Sequence, residues 1–179
     1  MAARRRSWAR RYVPAVSERQ LEPEHLGDHL DRLYRAALGL CGSPQDAEDL
    51  VQETYVQVLK KPRFLRSDDD LGYLMRVLHN TFYSRYRTEA GRPRMSELPE
   101  GDHLAERPTV ASAADVVESH EVLAAVAALP PPFRDAVVAV DLAGLSYKEA
   151  AKSLGVAQGT VMSRLHRGRG QVALALGDP

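Results

Sequence analysis

Residues 146–169 read SYKEAAKSLGVAQGTVMSRLHRGR, and this stretch decides the fold of the C-terminal half of the chain. Ser146 and Glu149 have the spacing of a capping box, in which each side chain bonds the other residue's backbone N–H at a helix start. Gly155 is placed to end that helix, because glycine adopts the left-handed backbone conformation without a steric penalty. A second helix begins near Gln158, so the stretch predicts a helix-turn-helix.

The second helix of this motif, predicted from about 158 to 176, carries its cations on one face. Val161 and Leu165 are spaced to pack on the first helix, and no acidic residue occurs between 158 and 170. The outward residues are then Gln158, Thr160, Met162, Ser163, Arg164, His166 and Arg167. A cationic, hydrogen-bonding helix face can enter the DNA major groove and reach phosphates, so we predict that it binds DNA. The alternative is a helical hairpin whose basic face is only solvated.

Two further helices precede the motif, and together they predict a helical domain over 116–179. The first of them runs from about 113 to 129. Three prolines at 130–132 stop it and favour the start of the next helix, which ends near Ala143. Ahead of these helices, glycines, prolines and acids replace large apolar residues, which predicts a flexible linker over 91–115.

The N-terminal half predicts three helices in a domain over 21–90, after a mobile basic arm over 1–20 that has no apolar period. Ser43 and Pro44 start the middle helix, since serine caps a first turn and proline is tolerated there. The core-facing stripe of that helix is Ala47, Leu50, Val51, Thr54, Tyr55 and Val58. The first helix aligns Leu26, Leu30, Leu33, Tyr34 and Ala37. The third helix, from about 71 to 87, aligns Leu71, Leu74, Met75, Leu78, Phe82 and Tyr86.

The composition is that of a globular protein: 179 residues, 44% hydrophobic and 6% aromatic. So few aromatic residues leave a core of Leu, Val and Ala, which favours helices, and the predicted fold class is all-α: two small helical domains joined by the linker. The single cysteine excludes a disulfide framework and indicates a reducing compartment. Neither a signal peptide nor a long apolar run is found, so we predict a cytoplasmic protein without membrane insertion.

The net charge of zero, from 24 basic and 24 acidic side chains, is a sum of opposed segments. Residues 1–20 carry a net +5, residues 88–121 a net −5, and residues 144–170 a net +4. A zero total argues against nucleic-acid binding, but the segregation of the charges is more informative than their total.

Two of the N-terminal helices have surface patterns with two interpretations each. The middle helix is either solvated on its polar face or docks a basic partner there. That polar face includes Asp49, Gln52, Glu53 and Gln57. The third helix interleaves arginines and aromatic residues, which indicates either nucleic-acid contact or, for Phe82 and Tyr86, core packing. Its outward candidates for DNA contact are Arg76, Asn80, Tyr83 and Arg87.

No pattern in the sequence indicates catalysis or a cofactor. His25 and His29 lie four residues apart, but no third ligand follows at a regular spacing, so no metal site is predicted. The sequence has no glycine-rich phosphate loop, and Cys41 near a helix end is typical of a small buried hydrophobe. We therefore predict that the protein is not an enzyme and holds no metal or cofactor.

Several motifs together resemble the extracytoplasmic-function (ECF, group IV) RNA polymerase sigma factors. They are DAEDLVQETY at 46–55, GYLMRVLHNT at 72–81, LPP at 129–131, GLSYKEAA at 144–151 and GTVMSRLHRGR at 159–169. The similarity covers about 24–90 and 116–175 in the order that the family has. It implies two helical domains, sigma regions 2 and 4, joined by a flexible linker.

The resemblance implies a promoter-specificity factor that binds core RNA polymerase. Region 2 would dock on the β′ clamp helices through Asp49, Gln52, Glu53 and Gln57. It would recognise and melt the −10 element of promoter DNA through Arg76, Asn80, Tyr83 and Arg87. Region 4 would contact the β flap and read the −35 element through the helix at 158–169. Family members are commonly held inactive by an anti-sigma factor, which the resemblance implies as a further partner.

The chain departs from the family pattern at Tyr73, where tryptophan is common, and at Met162, where lysine or arginine is common. Gly168 and Gly170 are predicted to weaken the last helix by about 1 kcal/mol each relative to alanine. Two other functions stay open: a stand-alone dimeric helix-turn-helix regulator with a symmetric operator, and an anti-sigma-like scaffold that acts through protein contacts. The acidic helix and the linker argue against the first, and the arginines of the last helix argue against the second.

Overall fold

The computed structural model of the chain describes residues 19–20, 23–60, 64–65, 69–90 and 113–177. Nearly all of the predicted basic arm and most of the predicted linker lie outside the described residues. The described elements are, in chain order, β1 (Arg19–Gln20), a 3-10 helix (Pro23–His29), α1 (Leu30–Cys41), α2 (Pro44–Leu59), β2 (Phe64–Leu65), α3 (Asp70–Ala90), α4 (Ala113–Ala127), α5 (Pro131–Val137), a π-helical turn (Val138–Leu142), α6 (Tyr147–Leu154) and α7 (Gln158–Ala175).

The predicted all-α fold is confirmed, with one short addition. Strands β1 and β2 pair antiparallel, so that Arg19 lies opposite Leu65 and Gln20 opposite Phe64. Strand β1 lies at the end of the predicted arm, and β2 lies between α2 and α3. Each strand is only two residues long, so this ladder does not change the helical class.

Helices α1 to α3, called here the N-terminal unit, pack around a core of aliphatic side chains. Ser43 caps α2 as predicted: its Oγ accepts a hydrogen bond from Asp46 N at 3.4 Å, and Pro44 occupies the first turn. The predicted stripe of α2 is confirmed, since its members are buried except for the half-buried Tyr55. Asp69 starts α3, because its Oδ1 accepts from Gly72 N at 2.8 Å.

Two side chains that were expected in this core are exposed. Leu30 is 37% exposed, because residues 23–29 form a 3-10 helix. That helix turns by about 120° per residue and so rotates Leu30 out of line with Leu26. Tyr86 is 62% exposed, because it borders an open cleft of about 300 Å³ between the N-terminal helices and the helices that follow the linker.

Helices α4 to α7, called here the C-terminal unit, contain the predicted helix-turn-helix in α6 and α7. Both halves of the capping box form: Ser146 Oγ accepts from Glu149 N at 3.3 Å, and Glu149 Oε2 accepts from Ser146 N at 2.8 Å. Hydrogen bonding with Ser146, through its side chain first and its backbone second, lowers the pKa of Glu149. Gly155 ends α6 at a φ of +69°, and Val161 and Leu165 are buried on the inner side of α7.

Gly168 has a packing role that its sequence position did not reveal. A Cβ atom at this position would lie 2.7 Å from Val137 Cγ2 and 3.2 Å from Phe133 O, so α7 approaches α5 this closely only with glycine here. A Cβ atom at Gly170 would meet nothing within 4 Å. The low helix propensity of glycine is therefore offset by close packing at position 168 and not at position 170.

The two units share one buried core. Helix α1 lies against α4 and the π-helical turn, and α3 lies against α6. Val126 and Val138 of the C-terminal unit are 2% and 1% exposed, and they belong to the same buried cluster as the leucines of α1 to α3. Among the described residues, no helix is both long enough and apolar enough to span a membrane.

Candidate nucleic-acid interface

The outer face of α7 is open to solvent. None of the seven predicted DNA-contact residues of this helix is buried; they are Gln158, Thr160, Met162, Ser163, Arg164, His166 and Arg167. Met162 is 51% exposed in the middle of this face. Within the described part of the chain, neither Arg164 nor Arg167 forms an ion pair. Their charges are therefore available to an external anion such as a phosphate.

A third arginine of α7 is not available in this way. Arg169 donates to the Asp141 carboxylate through two nitrogens, Nε to Oδ2 at 3.0 Å and Nη2 to Oδ1 at 2.5 Å. The hydrogen bond to Asp141 raises the pKa of Arg169, so the charge of this group is held in place. Because Asp141 belongs to the π-helical turn, the pair links α7 to the turn that continues α5.

The predicted DNA-contact face of α3 is divided between solvent and the C-terminal unit. Asn80 and Arg87 are exposed, as predicted. Arg76 is exposed as well, but its Nη2 donates to the backbone carbonyl of Lys152 in α6. The outward orientation predicted for Tyr83 is corrected: the side chain is half-buried, and its hydroxyl donates to Asp135 Oδ1 at 2.9 Å.

Tyr83 is the centre of a polar and aromatic cluster that joins α3 to α5. Its hydroxyl also accepts from Arg134 Nη2 at 3.3 Å, and burial raises the pKa of this phenol. The His79 ring lies 4.6 Å from the Tyr83 ring. His79 Nε2 lies 3.0 Å from Asp135 Oδ2, which is ion-pair distance when the imidazole is protonated, although the angle is not that of a hydrogen bond. Arg134 also lies over the face of Phe82, 5.1 Å from the ring centre.

No pattern in the sequence indicated His79, Arg134 or Asp135 as members of a site. Tyr83 and Asp135 are 52 positions apart, on opposite sides of the predicted linker. Capping and apolar periodicity report only neighbours along one helix, so a single sequence does not reveal such a contact.

The polar face of α2 combines acids with exposed apolar groups. Asp49, Gln52 and Gln57 are exposed, whereas Glu53 is half-buried and accepts a hydrogen bond from Arg85 Nε of α3. Arg85 Nη2 also donates to the Asp49 carbonyl at 3.2 Å. Arg85 of α3 therefore bonds both the Glu53 side chain and the backbone of α2. On the same side of α2, Val56 and Leu59 are 51% and 55% exposed. This face of α2 therefore combines two acids, two glutamines and two exposed aliphatic side chains.

His25 and His29 were considered as metal ligands in the sequence, and no metal site was predicted for them. No group of three or more His, Cys, Asp or Glu side chains that could hold a metal ion occurs among the residues described. The side chain of His25 lies outside them, whereas His29 is half-buried at the start of α1.

Two family models match the chain in succession. The model described as sigma-70 region 2 matches residues 26–92, and the one described as sigma-70, region 4 matches residues 119–172. The first match contains α1 to α3, and the second contains most of α4 and the helix-turn-helix.

Curated relatives match over most of the chain. The ECF RNA polymerase sigma factor SigE of Mycolicibacterium smegmatis is 43% identical over 83% of this chain, but the chain spans only 59% of that relative. The ECF RNA polymerase sigma factor EcfG of Rhodopseudomonas palustris is 33% identical, over 78% of this chain and 76% of its own length. SigM of Mycobacterium tuberculosis is also 33% identical, over 83% and 74%.

Solved structures share the arrangement of the helices. The sigma factor RpoE of Bartonella quintana, determined in complex with the anti-sigma factor NepR, superposes with a TM-score of 0.70 at 27% identity. The aligned part covers 86% of this chain and 95% of that one. CnrH, determined in complex with the cytosolic domain of CnrY, superposes with a TM-score of 0.61 at 22% identity, which shows a common fold.

Proposed function

Since the chain belongs to the ECF RNA polymerase sigma factors, we propose that it binds core RNA polymerase and directs promoter-specific initiation of transcription. The observation that carries the proposal is the open, cationic face of α7 in a helix-turn-helix, within a chain that also presents a docking face on α2. Membership in this family supports a role in transcription initiation, and we propose no catalytic activity for the chain.

The proposed domain organisation follows the predicted boundaries. Region 2 occupies 21–90, a linker occupies 91–115, region 4 occupies 116–179, and the basic arm precedes them at 1–20. The spans matched by the two family models support this division, because they fall at 26–92 and 119–172. In this organisation α1 to α3 are region 2 and α4 to α7 are region 4.

Region 4 reads the −35 element through α7. Arg164 and Arg167 have the reach and the free charge to contact phosphates, while Gln158 and Ser163 offer hydrogen bonds to base edges. Met162 is exposed at the centre of the face and suits the methyl group of a thymine, where a lysine or arginine would favour a guanine or a phosphate.

Region 2 recognises and melts the −10 element through α3. The candidates are Arg76, Asn80, Tyr83 and Arg87. Two of them, Asn80 and Arg87, are exposed about two turns apart on the same face of the helix and are supported by their access to solvent. Extrusion of a base costs a few kcal/mol of stacking, which cationic and aromatic contacts can offset.

Core polymerase docks on α2. Asp49, Gln52, Glu53 and Gln57 form the polar part of the surface that the β′ clamp helices would contact, with its negative charge on Asp49 and Glu53. The exposed Val56 and Leu59 extend it with apolar area. A mixed surface of this kind steers a basic partner through its charge and then excludes water through its apolar part. Contact of region 4 with the β flap completes the proposed holoenzyme.

An anti-sigma factor holds the free protein inactive in the cytoplasm. This part of the proposal is supported by the structural relatives, because RpoE and CnrH were each solved with an inhibitory or cytosolic partner domain bound. Such a partner acts on the same two regions that polymerase and promoter use.

The test is run-off transcription with purified core polymerase on sheared genomic DNA, followed by mapping of the start sites. The expected result is a set of discrete starts that appear only when the protein is added and that share two sequence elements. Starts that are identical with and without the protein contradict the proposal. Tight binding of the chain alone to a symmetric duplex would indicate the stand-alone regulator instead.

A further inference from the structure

We infer that the basic arm over 1–20 is a further DNA-binding segment, which contacts the backbone of unpaired promoter DNA beside the N-terminal end of α3. The inference rests on the −10 role proposed for α3, because it assigns to the arm the DNA strand that flanks that helix. It goes beyond that role, since the match to sigma-70 region 2 begins only at residue 26 and leaves the arm without a function.

The first support is the short strand that joins the arm to region 2. Strand β1 consists of the last two residues of the arm, Arg19 and Gln20, and it pairs with β2. Strand β2 lies between α2 and α3, and Leu65 at its end comes shortly before Asp70, the first residue of α3. The arm is therefore attached next to the start of the helix proposed to bind the −10 element.

The register of this ladder indicates the side from which the arm enters it. The pairing is antiparallel, with Gln20 opposite Phe64 and Arg19 opposite Leu65. Leu65 is the residue of β2 that is nearer to α3 along the chain, and Gln20 leads on to the 3-10 helix at Pro23–His29. The ladder thus brings the arm in from the side of α3 rather than from the side of α2.

The second support is the composition of the arm, which suits unpaired nucleic acid. Cationic side chains follow a phosphate backbone, and aromatic rings stack on bases that have lost their partners. Trp8 and Tyr12 are interleaved with the arginines, and the only acid of the arm is Glu18. Five arginines precede the strand: Arg4, Arg5, Arg6, Arg10 and Arg11.

The arm is long enough to follow a DNA strand that lies on α3. The segment from Arg11 to Arg19 can span at most about 28 Å when fully extended. The exposed Asn80 lies about 15 Å along the helix from the start of α3. Arginines 10 and 11 can therefore contact phosphates on either side of a strand bound at Asn80.

The described acids nearest to the ladder already have partners within the protein or are buried. Asp69 Oδ1 accepts a hydrogen bond from Gly72 N at 2.8 Å, and Asp69 Oδ2 lies 3.5 Å from Lys152 Nζ. Asp70 is buried, with 6% of its surface exposed. Two negative charges at the start of α3 repel DNA phosphates, and the arginines of the arm would offset that repulsion.

The main test removes two charges of the arm with Arg10→Gln combined with Arg11→Gln. The assembled holoenzyme is titrated with a single-stranded −10 oligonucleotide that carries flanking nucleotides, and fluorescence anisotropy is recorded across a salt series. The slope of log affinity against log salt should fall by about 1.4, since each phosphate contact on a single strand contributes about 0.7, and the affinity should fall about 10-fold. The control is Arg35→Gln combined with Lys148→Gln, which removes two exposed charges elsewhere and should leave the slope unchanged.

The position of the contact is tested with two further oligonucleotides, which extend the −10 element on the 5′ side or on the 3′ side only. The arm lies at one end of α3, so one extension should raise the affinity of the wild type and should not raise that of the Arg10→Gln, Arg11→Gln variant. An equal gain from both extensions would overturn the placement beside the start of α3.

A transfer variant tests the attachment through β1. Residues 1–16 follow Pro179 in this variant instead of preceding Ser17, so the charge is kept while the connection to β1 is lost. Its salt slope on the −10 strand should fall to that of the Arg10→Gln, Arg11→Gln variant. A slope equal to that of the wild type would show that the arm acts without its attachment and would overturn the inference.

Two other results would also overturn it. One is a salt slope that does not change when Arg10 and Arg11 are replaced. The other is tighter binding of core polymerase by that variant, which would place the arm on the exposed acids of α2 instead of on DNA. Failure of the proposed function is seen separately, as absence of promoter-specific run-off transcripts from the wild type. In that case the free chain is titrated with an oligothymidylate strand: a salt slope that depends on Arg10 and Arg11 supports the arm as a single-strand binder, and equal slopes contradict it.

Discussion

Helices α3 and α7 were both predicted to contact DNA, but their predicted contact residues differ in exposure and in hydrogen bonding. Helix α7 turns one side into region 4 and leaves all seven predicted contact residues at least partly exposed. Helix α3 lies between two neighbours, α2 on one side and α5 with α6 on the other, and two of its four candidates are bonded to region 4. The two helices therefore differ in how many of their predicted contact residues already bond to another part of the chain.

Two glycines permit close packing of helices in the two halves of the molecule. Gly168 lets α7 approach α5, because a Cβ atom there would lie 2.7 Å from Val137 Cγ2. Gly39 lets the π-helical turn approach α1, because a Cβ atom there would lie 3.0 Å from Val138 Cγ2.

The largest expected effect is on DNA binding by α7, whose outer face is exposed. Arg164→Ala combined with Arg167→Ala should weaken binding to −35 duplex by about 10-fold or more and lower the slope of log affinity against log salt by about two, since two phosphate contacts are lost. Fluorescence anisotropy across a salt series measures both quantities. Gln171→Ala, an exposed uncharged site on the same helix, serves as control. Equal salt slopes for the double variant and the wild type would show that α7 is not the reader.

The next largest effect is on binding of core polymerase, and it should change DNA recognition by α3 but not by α7. Asp49→Ala combined with Glu53→Ala should weaken core polymerase binding by about 10-fold, which corresponds to about 1.4 kcal/mol. Recognition of the −10 element should fall with it, whereas duplex binding by α7 of the free chain should not change. Biolayer interferometry with immobilised core polymerase gives the affinity. Glu48→Ala, an exposed acid on the same helix, should bind core polymerase like the wild type; equal losses in both would indicate general electrostatics.

Because α7 is closely packed at position 168 and open at position 170, glycine-to-alanine substitutions at these positions should change the free energy of unfolding in opposite directions. Gly168→Ala should destabilise the protein by about 1–2 kcal/mol, because the new methyl group meets Val137 and the Phe133 carbonyl. Gly170→Ala should stabilise it by about 0.5–1 kcal/mol, because the helix gains propensity and the space is open. Urea denaturation measures both. The same sign for the two variants would mean that α7 does not contact α5 as described.

The smallest effect concerns the cap that orients the helix-turn-helix. Ser146→Ala should cost about 1 kcal/mol, as loss of an N-cap does. Since the folded pKa of Glu149 is lowered, its stabilising bond is fully present above the ordinary value of 4.5 and is lost as the pH falls through the folded pKa. Thermal melts from pH 7 to pH 3 should therefore show a smaller decline for Ser146→Ala than for the wild type. Equal declines in melting temperature for the wild type and Ser146→Ala would show that the capping box does not form.

Local features of the fold could be read from the sequence because their causes lie within a few residues. The Ser43 cap, the capping box at Ser146 and the glycine turn at 155 are confirmed. The buried apolar stripe of α2 is also confirmed, because it depends only on residue spacing within one helix. Leu30 was misplaced because a 3-10 turn changed the phase of the first helix, and Tyr86 because the cleft beside it is a tertiary feature.

The contacts of α3 could not be read in this way. Arg76 and Lys152 are 76 positions apart, and the bonded groups are a side chain and a backbone carbonyl, which leave no pattern in the sequence. Arg32 and its two carbonyl partners are more than 100 positions apart. The roles of α2, α3 and α7 in binding stay predictions.

The most direct test of this comparison is to measure both promoter elements against the free chain and against the assembled holoenzyme. Double-stranded −35 and single-stranded −10 oligonucleotides are taken from a mapped start site and titrated separately. The contacts of Arg76 and Tyr83 with α6 and α5 predict that the −35 duplex binds the free chain measurably, while the −10 strand binds the holoenzyme far more tightly than the free chain. Equal affinity of the −10 strand for the free chain and the holoenzyme would contradict the account.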